Sequence, residues 1–277
     1  IQMSAQFGGD QYIAGQKEPV IDMPTRFVDF MRVLVPMAGD DTTPKGEQVN
    51  IYGNHVGSWN FAATAYLNRW KVKIYYEHYF DDHSQMFFQY GRWKDGHIGL
   101  EITFPKNRFI DTFVYEGLGT KDQTGPMLYD SFLGEFEEQI SAKDNYYNHY
   151  LYQGWQHWGM GIGNPLLPGP IYNKNGQITF ISNRVLAHHI GFCGSPCQSL
   201  SYRMLLSYSR HWGTYDNPLN EIKKQFNSLF EVTYAPQQLK GWSFTVSGAM
   251  DRGNLLGNNY GGMLVIRKQG IIKSGNK

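Results

Sequence analysis

The residues of this chain best suited to chemistry are aromatic side chains set among amides, acids and a guanidinium, and the chemistry they suit is saccharide recognition. A pyranose offers C–H faces to aromatic rings and hydroxyls to amides, carboxylates or Arg. Tyr90, Arg92 and Trp93 stand near Asp81 and Asp82. Tyr146, Tyr147, Trp155 and Trp158 stand with Asn148, Gln156 and His157. A purely solvated loop does not need so many aromatics. The same rings also suit packing of a loop onto a wall, or a girdle at a membrane interface, and that reading stays open for each of them.

Reactive constellations are weaker. Asp81-Asp82-His83 offers oxygen ligands to a divalent cation, but too few at defined spacing. Glu135, Glu137 and Glu138 crowd one short segment, whereas a glycosidase sets two carboxylates across a bond. His83-Ser84 and His188-His189 suggest a hydrolase, yet spacing places no orienting group and no nucleophile motif is present. Cys193 and Cys197, in Cys-Gly-Ser-Pro-Cys, supply too few ligands for zinc. They fit either a small disulfide in an oxidising compartment or two free thiols. The expectation is a non-enzyme with no catalytic residue, metal site or cofactor.

The elements that must position these residues are strands. Trp70, Val72, Ile74 and Tyr76 alternate with Lys71, Lys73, Tyr75 and Glu77, and Ser58–Leu67, His97–Phe104 and Phe109–Gly117 repeat the pattern. Leu200–Ser209, Phe230–Tyr234, Trp242–Asp251 and Tyr260–Ile272 continue it. Ile178–Ile190, Phe27–Val35 and Met3–Phe7 read as further, less regular strands. The period of two puts Trp, Phe, Leu and Val on one face and Ser, Thr and charge on the other. That is the lipid and lumen division of a transmembrane β-barrel, although a sheet buried on one face gives the same alternation.

Composition agrees. Aromatics reach 16% while charged residues are only 18%, below the roughly 25% of an ordinary soluble domain. No stretch reaches the roughly 20 apolar residues of a spanning helix. A net charge of +1 gives no argument for nucleic acid. The absence of a signal-peptide pattern at Ile1 suggests a mature chain or a fragment.

Strand ends must alternate between short turns and long outside loops. Counting from both termini puts 81–96, 212–227 and 252–259 outside, with the turns at 105–108, 192–198 and 236–241 on the other side. The two counts agree only if 118–177 is one external segment with no spanning strand, capping or plugging the barrel mouth. It holds a predicted short helix, Phe132–Ile140; an extra strand pair within 145–162 is the alternative parity allows. Ten or eleven strands are visible, so a single barrel domain spanning 1–277 is expected to be the C-terminal part of a larger barrel.

Several segments are more specific than periodicity: Gly53-Asn54-His55-Val56-Gly57-Ser58-Trp59, Tyr75-Tyr76-Glu77-His78-Tyr79-Phe80-Asp81-Asp82, Tyr115-Glu116-Gly117-Leu118-Gly119-Thr120-Lys121-Asp122-Gln123-Thr124-Gly125-Pro126, Asp144-Asn145-Tyr146-Tyr147-Asn148, Gly159-Met160-Gly161-Ile162-Gly163-Asn164-Pro165, Asn183-Arg184-Val185-Leu186-Ala187-His188-His189 and Leu256-Gly257-Asn258-Asn259-Tyr260-Gly261. Together, from about Arg26 to Ile272, the chain resembles the barrel-forming part of the capsule assembly Wzi family in its Bacteroides-group form. The resemblance implies an all-β, antiparallel outer-membrane β-barrel with long extracellular loops. It also implies a lectin that holds capsular or surface polysaccharide, with outer-membrane lipid and other envelope proteins as further partners. No sugar-contacting residue carries over by position. A porin, a hydrolase and a subunit of a larger envelope complex are the alternatives.

Overall fold

Period-two alternation and tight turns produce the strands the sequence leads one to expect, and the registers show that they share faces. The computed structural model describes residues 1–270 apart from Ala14, Asp82, 90–92 and Arg108. In chain order the strands are β1 (Gln2–Gln6), β2 (Gly9–Gln11), β3 (Ile21–Met23), β4 (Asn54–Leu67), β5 (Trp70–Phe80), β6 (Gly96–Thr103), β7 (Thr112–Gly119) and β8 (Leu128–Tyr129). They continue with β9 (Ile140–Ser141), β10 (Gln156–His157), β11 (Met160–Gly161), β12 (Val185–Cys197), β13 (Leu200–Gly213), β14 (Pro218–Tyr234), β15 (Trp242–Gly253) and β16 (Asn259–Lys268). Helices α1 (Phe27–Leu34), α2 (Lys45–Val49) and α3 (His83–Met86) lie in connections. The chain is all-β and antiparallel. One ten-stranded sheet runs β1-β4-β5-β6-β7-β12-β13-β14-β15-β16, and β2-β3, β8-β9 and β10-β11 form separate small ribbons. The large sheet is open, with β1 and β16 at its edges.

Residues directly opposite on neighbouring strands share a face. One row runs Ala65, Val72, Ile102, Phe113, Phe192, Met204, Phe230, Gly248 and Gly262 across nine strands. The next row on that face runs Ala63, Ile74, Leu100, Tyr115, Ile190, Leu206, Ser228, Met250 and Tyr260. This apolar face is uncovered: Ile74 is 55% exposed, Val246 60% and Leu264 66%. On the opposite face one row runs Ala62, Tyr75, Gly99, Glu116, His189, Ser207, Asn227, Asp251 and Asn259. Its members bond to one another. The Tyr75 hydroxyl donates to Glu116, His189 Nδ1 lies 2.6 Å from Ser207 Oγ, and Asn227 Nδ2 donates to Asp251 Oδ1 at 2.7 Å. The Tyr75 ring lies over Gly99, where a Cβ would come within 2.0 Å of it. Lys71–Glu101 (3.7 Å) and Arg203–Glu231 (3.3 Å) add ion pairs to the same face.

The connections 7–53, 81–95, 120–184, 214–217 and 254–258 all leave one end of the sheet. No strand of the large sheet falls within 120–184, and β7 pairs directly with β12. The segment folds back on the polar face: Tyr147, Trp155, Leu167 and Phe180 pack with Val185, Ala187, Val56 and Leu118, and by register the last four lie on that face.

Several boundaries differ from expectation. Within Phe27–Val35 the chain forms helix α1, because the Arg26 backbone N–H and guanidinium both donate to the Asp29 carboxylate at the first turn, and Arg32 donates to it from the next. Phe27, Phe30, Met31 and Leu34 follow helical spacing and remain exposed. In Phe132–Ile140 a 3₁₀ turn at Ser131–Leu133 stops at Gly134, whose φ of 83° is left-handed. The outside loop 212–227 shrinks to 214–217, because β13 and β14 keep pairing past Arg210 and Lys224, where polar residues on both faces hide the alternation. The pair expected as an alternative within 145–162 is the ribbon β10-β11, which stays apart from the large sheet. Strand β12 starts at Val185 rather than Ile178 and runs on through the expected turn at 192–198 to Cys197. The last strand ends at Lys268, and Ile271 and Ile272 lie outside the described residues.

Candidate functional site

At the capped end, several chain segments enclose a polar cleft of about 520 Å³. They are the α2 region through His55, the stretch 141–150, the stretch 177–181 and the turn 214–217, with Asp81 and Leu128 beside them. Glu47, on α2, forms its floor and is 1% exposed. Gly53 N donates to Glu47 Oε2 at 2.6 Å and Tyr150 Oη to Glu47 Oε1 at 3.0 Å. Gly46 makes this approach possible, since a Cβ there would sit 2.5 Å from the Tyr150 hydroxyl. Burial pushes the Glu47 carboxyl up to about 7, against the bonds from Gly53 and Tyr150. His149 Nε2 is 3.7 Å from Glu47 Oε1. Burial, with His55 nearby, lowers the His149 imidazole to about 4, so at neutral pH this contact is not an ion pair.

Amides hold the walls. Asn148 clamps Phe180 at both backbone atoms, accepting from its N–H and donating to its C=O at 2.8 Å each. Ser141 Oγ donates to Asn50 Oδ1 at 2.8 Å, and Lys143 Nζ pairs with Asp216 at 2.5 Å. Asp95 ties the cap to the 81–95 connection. It accepts from Asp122 N, Gln123 N and Tyr146 Oη, and burial raises its carboxyl above the ordinary range despite those bonds. Lys143, Tyr147 and Trp158 hold left-handed backbone, with φ of 64°, 72° and 52°. Such conformations in non-glycine residues persist only where surrounding structure imposes them.

A shallower groove is lined by Gln153, Gln156, His157, Trp158, Ile171 and Ile178, and Gln177 borders both it and the cleft. Trp158 is 86% exposed there. Concave polar walls with one exposed indole plane can hold hydroxyls along a chain and stack a sugar ring at its end.

The structure divides the aromatics expected to bind saccharide. Tyr146, Tyr147 and Trp155 are buried in the cap, because their bulk is needed to seat it on the sheet. Trp93 packs on His78 and Phe88 and reaches Phe61 and Tyr76 at the rim of the apolar face. Among the described residues of the expected set, Trp158 alone borders the groove. Tyr90, Arg92 and Asp82 lie outside the described residues. Glu135, Glu137 and Glu138 are exposed and line no described cavity. His188 and His189 take opposite faces, His188 bonding Tyr115 and His189 bonding Ser207.

Cys193 and Cys197 are free thiols. They oppose Arg203 and Leu200 on β13, so roughly 10 Å of strand separates them, beyond the ~7 Å Cα spacing of a disulfide. Among the described residues no three His, Cys, Asp or Glu side chains converge as a metal site.

Sequence reasoning missed Glu47 and the cleft itself, and named Asn148 only as a polar neighbour of the aromatics. The detectable signal was the polar run Asp144-Asn145 with Asn148-His149 inside the long connection. No family model, curated protein or solved structure matches this chain.

Proposed function

We propose that this chain is the wall and cap of a bacterial outer-membrane β-barrel that holds capsular or surface polysaccharide non-covalently. The observation carrying the reading is the sheet's division. A bare apolar face runs across nine strands, and the opposite face is a bonded polar row closed at one end by a polar cleft. An apolar band on the outside and a polar interior are what a spanning barrel requires. Spanning also requires every backbone group to be paired, so the free edges of β1 and β16 must meet other strands or each other. The resemblance to the capsule assembly Wzi family supports the same role.

The test compares cells with and without the protein. Release of surface polysaccharide into the medium upon deletion, with total synthesis unchanged, is the expected result; an unchanged split rejects the role. The continuous polar row through Glu116, His189 and Asp251 favours a second reading, a gated channel. Ion conductance across a planar bilayer that rises when 120–184 is cut would support it.

A further inference from the structure

The apolar face of the large sheet ends, on the capped side, in a rim of positive charge. Among the described residues, no strand position on that face carries Asp or Glu. Three exposed cations stand together at the capped end: Arg210 on β13, Lys224 on β14 and Arg252 on β15. The face has one other Lys or Arg, Lys268, at the far end opposite Trp242. Arg210 and Lys224 face each other directly, and Arg252 opposes Phe226, one diagonal step from Lys224. Like charges so placed on neighbouring strands repel.

Two further cations extend the rim. Lys121 Nζ and the Arg210 guanidinium both lie on the Trp212 ring, 4.7 and 5.3 Å from its centroid. Arg184 stacks on Tyr215 at 3.8 Å, and its Nε donates to the Lys121 carbonyl at 3.0 Å. Neighbouring carboxylates are engaged by other lysines: Asp122 by Lys94 at 3.3 Å, Asp216 by Lys143 at 2.5 Å and Glu221 by Lys223 at 2.6 Å. None of the five rim cations forms an ion pair with a described residue. Their counter-charge comes from outside the chain.

The height of the rim points to its source. At the far end Leu200 opposes Tyr234, which opposes Phe244, and β13 reaches Arg210 ten residues after Leu200. That is roughly 34 Å of strand, or roughly 26 Å of height at the ~40° tilt of barrel strands. The apolar band of a spanning barrel is about 25 Å tall, so the cations emerge where lipid headgroups begin. We infer that Arg210, Lys224 and Arg252, flanked by Lys121 and Arg184, bind the phosphate groups of anionic lipid in the outer leaflet. A guanidinium takes phosphate oxygens bidentately and an ammonium takes them as a point charge. A phosphate bridging Arg210 and Lys224 turns their repulsion into two attractions. This rests on the barrel reading and not on the saccharide site.

The experiment refolds the full chain into phosphatidylcholine vesicles with and without diphosphorylated lipid A. It reads the thermal midpoint, and the lipid phosphorus that stays with the protein in neutral detergent. Lipid A should raise the midpoint and remain bound. Arg210→Gln with Lys224→Gln and Arg252→Gln should lose that gain and hold the lipid at least about tenfold more weakly, through three lost charge-assisted bonds. In phosphatidylcholine alone the same variant should melt no lower than the unmodified protein, because it sheds opposed like charges. A lower midpoint there would make the cations structural and overturn the inference. Lys224→Gln by itself should lose part of the gain, and retention of the whole gain by both variants would also overturn it. An equal gain from inorganic phosphate added to phosphatidylcholine vesicles would overturn lipid as the source. Failure of the unmodified chain to insert into phosphatidylcholine would overturn the barrel reading, and this inference with it.

Discussion

Trp155 and Trp158 lie three residues apart and serve different ends. Trp155 is buried against Tyr147, Leu167 and Phe180, so Trp155→Ala should open a cavity and destabilise the cap by about 3–5 kcal/mol, read as faster limited proteolysis within 120–184. Trp158 is exposed at the groove. Trp158→Ala should leave the thermal midpoint unchanged and weaken polysaccharide binding several-fold in fluorescence titration; unchanged binding removes the groove from the site. Glu47 carries a pH signature. Its folded-state value of about 7 lies above the ordinary 4.5, so the folded protein holds that proton more tightly. The resulting stability is fully present below about 4.5 and is lost as pH rises through about 7. Glu47→Gln should flatten the melting temperature across that window, and a slope equal to that of the unmodified protein would refute the assignment.

At the scale of elements, two local rules compete. Helix α1 arises where apolar residues fit a spacing of three and four and the Asp29 carboxylate, at the third helical position, accepts from the Arg26 backbone N–H. An alternation template fits the same composition, which is why Phe27–Val35 reads as a strand. In the sheet, Gly99 is the gap through which Tyr75 on β5 reaches Glu116 on β7. Gly99→Val would drive a side chain into the Tyr75 ring, for a cost of about 1–3 kcal/mol. The expected outcome is a lower refolding yield in detergent, with Tyr75→Phe largely retaining the yield because it keeps the ring and loses only the bond. Equal losses from both would assign the effect to the bond rather than to the crowding.

At the scale of the whole molecule, the two faces make opposite predictions. Ile74 and Val246 belong to the bare apolar face. Ile74→Lys or Val246→Lys should destabilise the protein refolded into lipid vesicles by about 2–4 kcal/mol near the bilayer midplane. Asn227→Lys, on the polar face beside Asp251, should have little effect. Similar costs on both faces would mean that neither face meets lipid.

The sequence by itself determined most strands of the large sheet and the face each residue takes there, and it favoured a long connection without a strand of that sheet. These follow from local periodicity and from the parity of strand ends, and both are properties of a linear chain. It also placed Trp158 within the long connection 118–177. Only the tertiary structure decided which aromatics are structural, because Tyr146, Tyr147 and Trp155 differ from Trp158 in packing partners and not in residue type. The cleft was likewise beyond the sequence. Glu47 and Tyr150 are 103 residues apart and meet within 3.0 Å, and a contact at that separation is set by how the cap folds back on the sheet. The helix over Phe27–Leu34 was decided by Arg26, Asp29, Arg32 and Asp40 bonding together, a four-residue network that no two-residue period records.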